Sequence, residues 1–184
     1  MIMTVAEFRQ MVATDETDQA LEIKLQGLEL LIRTYTNNNF QLRAFRIACD
    51  AVSDGNQLVI ASKVPFKVGD TIQITDSDYQ MNQLLTVESV NETGVTVKED
   101  ILDESEITVT KVHYPSDVKI GIAYMLKWDL ENRDKVGIAS ETISRHSVSY
   151  FNMDQGNSTV GYPTALVGFL KPYRKARFGQ GLIV

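Results

Sequence analysis

Along the first third of the chain the hydrophobic positions recur at helical spacing; they give way to short β-prone runs and regain helical spacing only at Ser116. Val5, Phe8, Met11 and Val12 share one face of a first predicted helix over residues 4–13. Thr4 is its N-cap and Glu7, three residues on, its capping-box partner. A polar turn at residues 14–18 leads into a second predicted helix over residues 18–35, where Leu21, Leu25, Leu28, Ile32 and Tyr35 step by fours and threes. Gly27 falls mid-helix, at a cost of about 1 kcal/mol relative to alanine. Its two readings are a tolerated glycine and a site of close helix–helix approach. Asn37, Asn38 and Asn39 form a stop, because asparagine tolerates the left-handed conformation that ends helices.

Between Leu42 and Tyr114 the periodicity changes. Runs such as Leu58-Val59-Ile60-Ala61, Thr71-Ile72-Gln73-Ile74, Leu84-Leu85-Thr86-Val87, Gly94-Val95-Thr96-Val97 and Ile107-Thr108-Val109-Thr110 are separated by the turn signals Asp54-Gly55-Asn56, Lys67-Val68-Gly69-Asp70 and Asn91-Glu92-Thr93-Gly94. Short strands so punctuated predict a small antiparallel barrel or sandwich. A third helix follows over residues 117–132, with Val118, Ile122, Met125, Leu126 and Leu130 inward and Ala123 and Trp128 beside them. Residues 144–151 alternate as an extended arm or strand, and residues 152–158 are polar and turn-rich. Tyr162-Pro163-Thr164 opens a last predicted helix to about Tyr173, with Ala165, Leu166, Phe169 and Leu170 inward and Pro172 ending or bending it. The expected class is α+β: a small α-helical bundle of about four helices with an inserted small antiparallel β-barrel or sandwich. Residues 1–40 plus 116–184 form the helical domain, and residues 41–115 the inserted β domain.

The 184 residues allow one domain with a sizeable core, or a domain with a modest insert. No apolar run reaches the roughly 20 residues that span a bilayer. The start, Met1-Ile2-Met3-Thr4-Val5-Ala6-Glu7, lacks the basic and apolar regions of a signal peptide, and a single thiol leaves the cytosol as the expected place of synthesis. The single cysteine, Cys49, excludes an intrachain disulfide and reads as a small buried hydrophobe among Ile47, Ala48, Ala51 and Val52. A net charge of −6 argues against a protein that coats nucleic acid, which needs clustered cations. One cluster of cations exists: Lys171, Arg174, Lys175 and Arg177 near the C-terminal end.

Catalytic and metal chemistry find little support. His113 and His146 lie on separate segments without a sequence-local ligand partner. Asp76-Ser77-Asp78 starts like a calcium loop but lacks its glycine and terminal glutamate at the required offsets. Phosphate loops, nucleophile elbows and zinc-protease helices are absent from the sequence. The expectation is a non-enzymatic protein with no catalytic, cofactor or metal residues. The run Lys171, Tyr173, Arg174, Lys175 and Arg177 carries the functional interest, as a solubilising end or as a segment that docks on an acidic partner surface or approaches a nucleic-acid backbone.

The helix from Leu28 to Phe40, Leu-Glu-Leu-Leu-Ile-Arg-Thr-Tyr-Thr-Asn-Asn-Asn-Phe, resembles the second-helix signature of the head-tail connector (adaptor) proteins of tailed bacteriophages and related prophages. Two later stretches are similar to the same family: Gly137 to Tyr150, with its Ser140-Glu141 and Ser147-Val148-Ser149-Tyr150, and the basic ending Phe169 to Arg177. The resemblance covers about the first 40 and last 65 residues. It implies a virion protein at the head-tail junction, assembled as a ring of about twelve copies through a heterologous interface that closes on itself. The implied partners are further copies, the portal, a downstream stopper or tail-completion protein, and double-stranded DNA that passes through the channel without specific binding, with no membrane and no cofactor. Lys171, Tyr173, Arg174, Lys175 and Arg177 become candidates for contact with the portal or a ring neighbour. Arg145, His146, Val148, Tyr150 and Phe151 become candidates for an inter-subunit arm. The β block departs from compact family members and reads as a decoration on the outside of the ring. The alternative is a binding module in which the β domain holds carbohydrate or peptide and the helices anchor it. Exposed aromatics on one barrel face would mark it, and Phe45, Phe66, Tyr79 and Tyr114 are the residues available.

Overall fold

The computed structural model describes residues 1–136, 140–143, 146–149 and 156–176. Its contacts divide the chain into two compact units: Met1 with Asn39–Tyr114, and Ile2–Asn38 with Pro115–Val184.

The first unit is a closed, wholly antiparallel barrel of six strands: β1 (Gln41–Val52), β2 (Gln57–Val59), β3 (Thr71–Asp76), β4 (Leu84–Asn91), β5 (Gly94–Val97) and β6 (Glu104–Val112). They run round the barrel as β1-β2-β5-β4-β3-β6, and β1 closes it by pairing with both β2 and β6. Side chains alternate across a strand, so inward residues come two apart. The pairs Cys49/Ala51, Ile72/Ile74, Leu85/Val87, Val95/Val97 and Ile107/Val109 all fill the barrel interior, joined by Leu58, Ile60, Phe66 and Ile101. Burying each large side chain of this set contributes roughly 1.5–3 kcal/mol before entropy is charged against it. Gly94 is required where β5 meets β2: a Cβ there would lie 1.9 Å from the Leu58 carbonyl oxygen. The predicted turns form as read, with Gly55 and Gly69 at positive φ and the Asp70 carboxylate accepting the Lys67 N–H at 2.9 Å.

The second unit holds α1 (Val5–Met11), α2 (Asp18–Thr36), α3 (Ser116–Asn132) and α4 (Thr164–Val167), with two small two-stranded sheets. The capping box at Thr4 and Glu7 is present, and Asn37 caps α2 in the left-handed conformation. Leu21, Leu25, Leu28 and Ile32 of α2 are buried, as are Val118, Ile122, Met125 and Leu126 of α3. The Phe169 ring lies where a Cβ on Gly121 would be. Arg133 binds Asp129 through Nε at 2.7 Å, lies over the Trp128 and Tyr162 rings at 5.3 and 4.7 Å, and donates to the Gly161 carbonyl at 3.0 Å. Tyr162 donates its hydroxyl to Asp129. Burial, then that acidic partner, pushes the phenol well above its usual range. This cluster ties β9 (Ser158–Thr159) and β10 (Tyr162–Pro163) to the end of α3.

The expected class, a four-helix bundle carrying a β insert, is corrected. The chain is largely a β-barrel. Among the described residues only α2 and α3 are long helices, at 19 and 17 residues. The predicted last helix is one α-helical turn that tightens into a 3₁₀ segment, Gly168–Tyr173, with Pro172 inside it. Glycine is a poor helix former and proline removes a donor, so this short segment cannot sustain an α-helix. On the other side of the balance, β1 is 12 residues long, and no predicted strand covers any of it.

Two outcomes test the barrel. Gly94→Ala should lower the unfolding free energy by about 2 kcal/mol or more, measured by urea denaturation, because the clash is with backbone. Burial, then the charge of Asp50, pushes the Cys49 thiol up to about 12. The unfolded thiol titrates near 8.5. Cys49 therefore contributes stability that is intact below about pH 8.5 and lost as pH rises toward 12. Cys49→Ala should show a shallower loss over that window, and the native thiol should resist alkylation at pH 8 until the chain is unfolded.

Candidate functional site

The C-terminal turn of α2 organises the site. Asn37 takes the left-handed conformation there, with φ 49° and ψ 38°, and its backbone N–H returns to the carbonyls of Arg33 and Thr34. This cap turns the asparagine side chains toward the basic run. Asn37 Nδ2 donates to the Ala176 carbonyl at 3.1 Å, and Asn38 Nδ2 donates to the Tyr173 carbonyl at 3.1 Å. The Lys175 N–H donates to the Thr36 carbonyl at 2.8 Å, satisfying one of the last acceptors of the helix. The Arg174 guanidinium lies over the Tyr35 ring at 5.1 Å. Tyr173 is held from the other side: its hydroxyl donates to both Asp117 carboxylate oxygens at 2.8 Å, and that bond raises the phenol's pKa.

The structure thus brings together Tyr173, Arg174 and Lys175 with the helix whose sequence carries the family resemblance. Lys171 is exposed on the 3₁₀ segment, and Arg177 lies outside the described residues. Of the arm residues, His146 and Val148 lie on β8 (His146–Ser149), which pairs antiparallel with β7 (Ser140–Ile143). Arg145, Tyr150 and Phe151 lie outside the described residues.

Between α2 and the basic run lies an open groove of about 800 Å³, lined by Gly27, Leu30, Leu31, Tyr35, Val160 and Arg174 among others. Leu30 is 68% exposed and Ile23 63%. Sequence reasoning followed the buried stripe of α2 and missed this second one, although Ile23, Gly27, Leu30 and Thr34 also step by four, three and four. Among the described residues no atom lies within 4 Å of a Cβ placed on Gly27, so none of the described helices approaches closely there. The groove is apolar on its helical wall and cationic on the other. That combination suits docking of a protein surface.

Elsewhere the candidate chemistry is sparse. His113 is exposed, and Cys49 is buried in the barrel interior. Among the described residues no group of three or more His, Cys, Asp or Glu side chains is placed to hold a metal ion. No described helix is long and apolar enough to cross a membrane. Of the four aromatics that a carbohydrate-binding face would need, Phe66 and Tyr114 are each 4% exposed, and only Phe45 and Tyr79 face solvent.

No protein-family model and no curated protein matches the chain. Among solved structures it is similar to a chain in the neck of an empty GTA particle computed with C6 symmetry, at 14% identity and a TM-score of 0.36, covering 98% of this chain and 93% of that one. A second is a chain in the virion of the native gene transfer agent (GTA) particle, at 15% identity and a TM-score of 0.37, with the same coverage. Scores of this size do not establish a shared fold.

The open position of Gly27 gives a direct test. Gly27→Ala should raise the unfolding free energy by about 1 kcal/mol, read from the urea midpoint, since the helix gains propensity and nothing is displaced.

Proposed function

We propose that this chain is a non-enzymatic structural protein of a phage-type virion, a head-tail connector that assembles as a ring beneath the portal. One observation carries the reading. Two of the segments that resemble the connector family, the helix Leu28 to Phe40 and the basic ending, lie more than 130 residues apart yet are pinned together by Asn37, Asn38 and Lys175. They form one exposed face with an apolar groove and a row of cations. Exposed large apolar side chains on a helix, rimmed by charge, are what an assembly surface needs.

The cations Lys171, Arg174 and Lys175 are exposed and serve as the electrostatic contact with the portal. The net charge of −6 suits a channel component that DNA slides past, because uncompensated negative charge opposes phosphate binding. The hairpin β7–β8 is the segment of the proposed arm that the structure describes. Bacterial cytoplasm is the place of synthesis in this reading, and the mature location is the head-tail junction.

Purified portal rings should bind the protein, and Lys171→Glu/Arg174→Glu/Lys175→Glu should weaken binding by roughly tenfold or more in low salt, with the melting temperature nearly unchanged. Surface plasmon resonance on immobilised portal checks this. Portal rings that ignore the wild-type chain, or that bind the triple variant equally well, refute the reading.

A further inference from the structure

One end of the barrel is strongly acidic, and the other presents exposed arginines on β1. Residues 50–56, 76–82 and 98–106 meet at one end, bonded through Ser53 N–H to Asp103 at 2.6 Å, Glu106 N–H to Asp50 at 2.8 Å, and Asn56 to Asp100 at 3.3 Å. These segments contain nine carboxylates (Asp50, Asp54, Asp76, Asp78, Glu99, Asp100, Asp103, Glu104 and Glu106) and one cation, Lys98. From among them project three apolar side chains: Tyr79 is 76% exposed, Leu102 57% and Met81 50%.

The loops bearing these side chains are braced. Buried Gln80 donates through Nε2 to the Leu102 carbonyl at 3.0 Å and accepts the Leu102 N–H at 2.7 Å, like one rung of a strand ladder. Glu104 accepts from the Ser77 hydroxyl at 2.7 Å and the Asp78 N–H at 2.5 Å. Those bonds, Ser77's first, hold the Glu104 carboxyl below its usual range, and the Ser53 N–H does the same for Asp103. A solvent-facing tyrosine, leucine and methionine held on rigid loops need little further ordering when a partner covers them.

At the other end the first half of β1 carries two arginines, near segments that hold Asp70, Glu88 and Glu92, and Lys111 is paired there with Asp70 at 2.5 Å. Residues 43–46, Arg-Ala-Phe-Arg, are all exposed in the first half of β1. Phe45 is 41% exposed and lies under Lys111, whose Nζ is 5.9 Å from the ring centre. Arg46 is steadied by donating Nε to Thr110 at 3.1 Å. Arginine and aromatic residues are the types that dominate interface energies. In register, Arg46 lies opposite Thr110 and Ala51 opposite Glu104, which sets the two faces toward opposite ends of the β1–β6 pair.

We propose that the barrel is a head-to-tail self-association module: the acidic end of one copy, centred on Tyr79, Met81 and Leu102, receives the Arg43–Phe45–Arg46 face of a second copy. Such a contact is heterologous, so repetition generates rings or filaments. Apolar centres meet on both sides, and opposite charges surround them. The module requires only association between copies and does not rest on the connector reading.

Sedimentation velocity of the full chain at low salt tests it. The wild type should self-associate, and 0.5 M salt should suppress this. Tyr79→Ser/Leu102→Ser should weaken association by roughly tenfold. Arg43→Glu/Arg46→Glu and Asp76→Lys/Asp78→Lys should each be monomeric alone and associate when mixed, because each then offers the complement the other lacks. All substituted side chains are exposed, and circular dichroism confirms that each variant folds. A wild type that stays monomeric at all concentrations and salts overturns the proposal, as does association that survives either charge reversal or a mixture that stays monomeric. Portal binding by such a monomer would leave the connector reading intact.

Discussion

The closure of the barrel by β1 is the constraint on which the rest of the first unit depends. An open six-stranded antiparallel sheet would leave two edges of unpaired N–H and C=O groups, each a template for aggregation. β1 removes both edges by pairing with β2 through its last three residues and with β6 along most of its length. It needs two register irregularities to do so, between Gln41 and Arg46 and between Cys49 and Ala51, where the strand bends. Closure makes the interior dry and continuous, which is why Cys49 behaves as a hydrophobe and its thiol resists ionisation. It also fixes which residues remain outside, and so creates the charge asymmetry from one end of the barrel to the other.

In the second unit a smaller set of bonds has comparable leverage. A helix ends with orphaned carbonyls that need donors. Here the donors come from the asparagine cap and from a segment far along the chain, so that ending α2 and positioning the basic run are one event. On the exposed side of α2, Leu30 and Ile23 are left 68% and 63% exposed. A monomer gains nothing from that exposure, which is consistent with a surface kept for assembly.

Much of this was legible from residue pattern, and the failures have physical causes. The caps at Thr4 and Asn37, the spans of α2 and α3, and the turns at Gly55 and Gly69 follow from local chemistry, which a sequence states directly. All of β1 was missed: Arg43, Ala44, Phe45 and Arg46 are exposed and show no alternation, and in the second half the inward positions beyond Ile47 are the small Cys49 and Ala51, a weak strand signal. The last helix was overread because inward-facing residues at helical spacing occur in Leu166, Phe169 and Leu170 even though Gly168 and Pro172 cannot support the backbone. Balance between the classes was lost with these two segments: the strand-rich block is the larger architecture, and the helical part is no bundle. The basic run was singled out from composition, but its docking against α2 depends on bonds across more than 130 residues that no local pattern encodes.

The bond from the Lys175 amide to the Thr36 carbonyl has a mechanical consequence. Pulling the cationic segment away from α2 strips the helix of a terminal partner, so the last turn must fray or find water. A protein that grips Lys171 or Arg174 therefore pulls on the end of α2, at Tyr35 and Thr36.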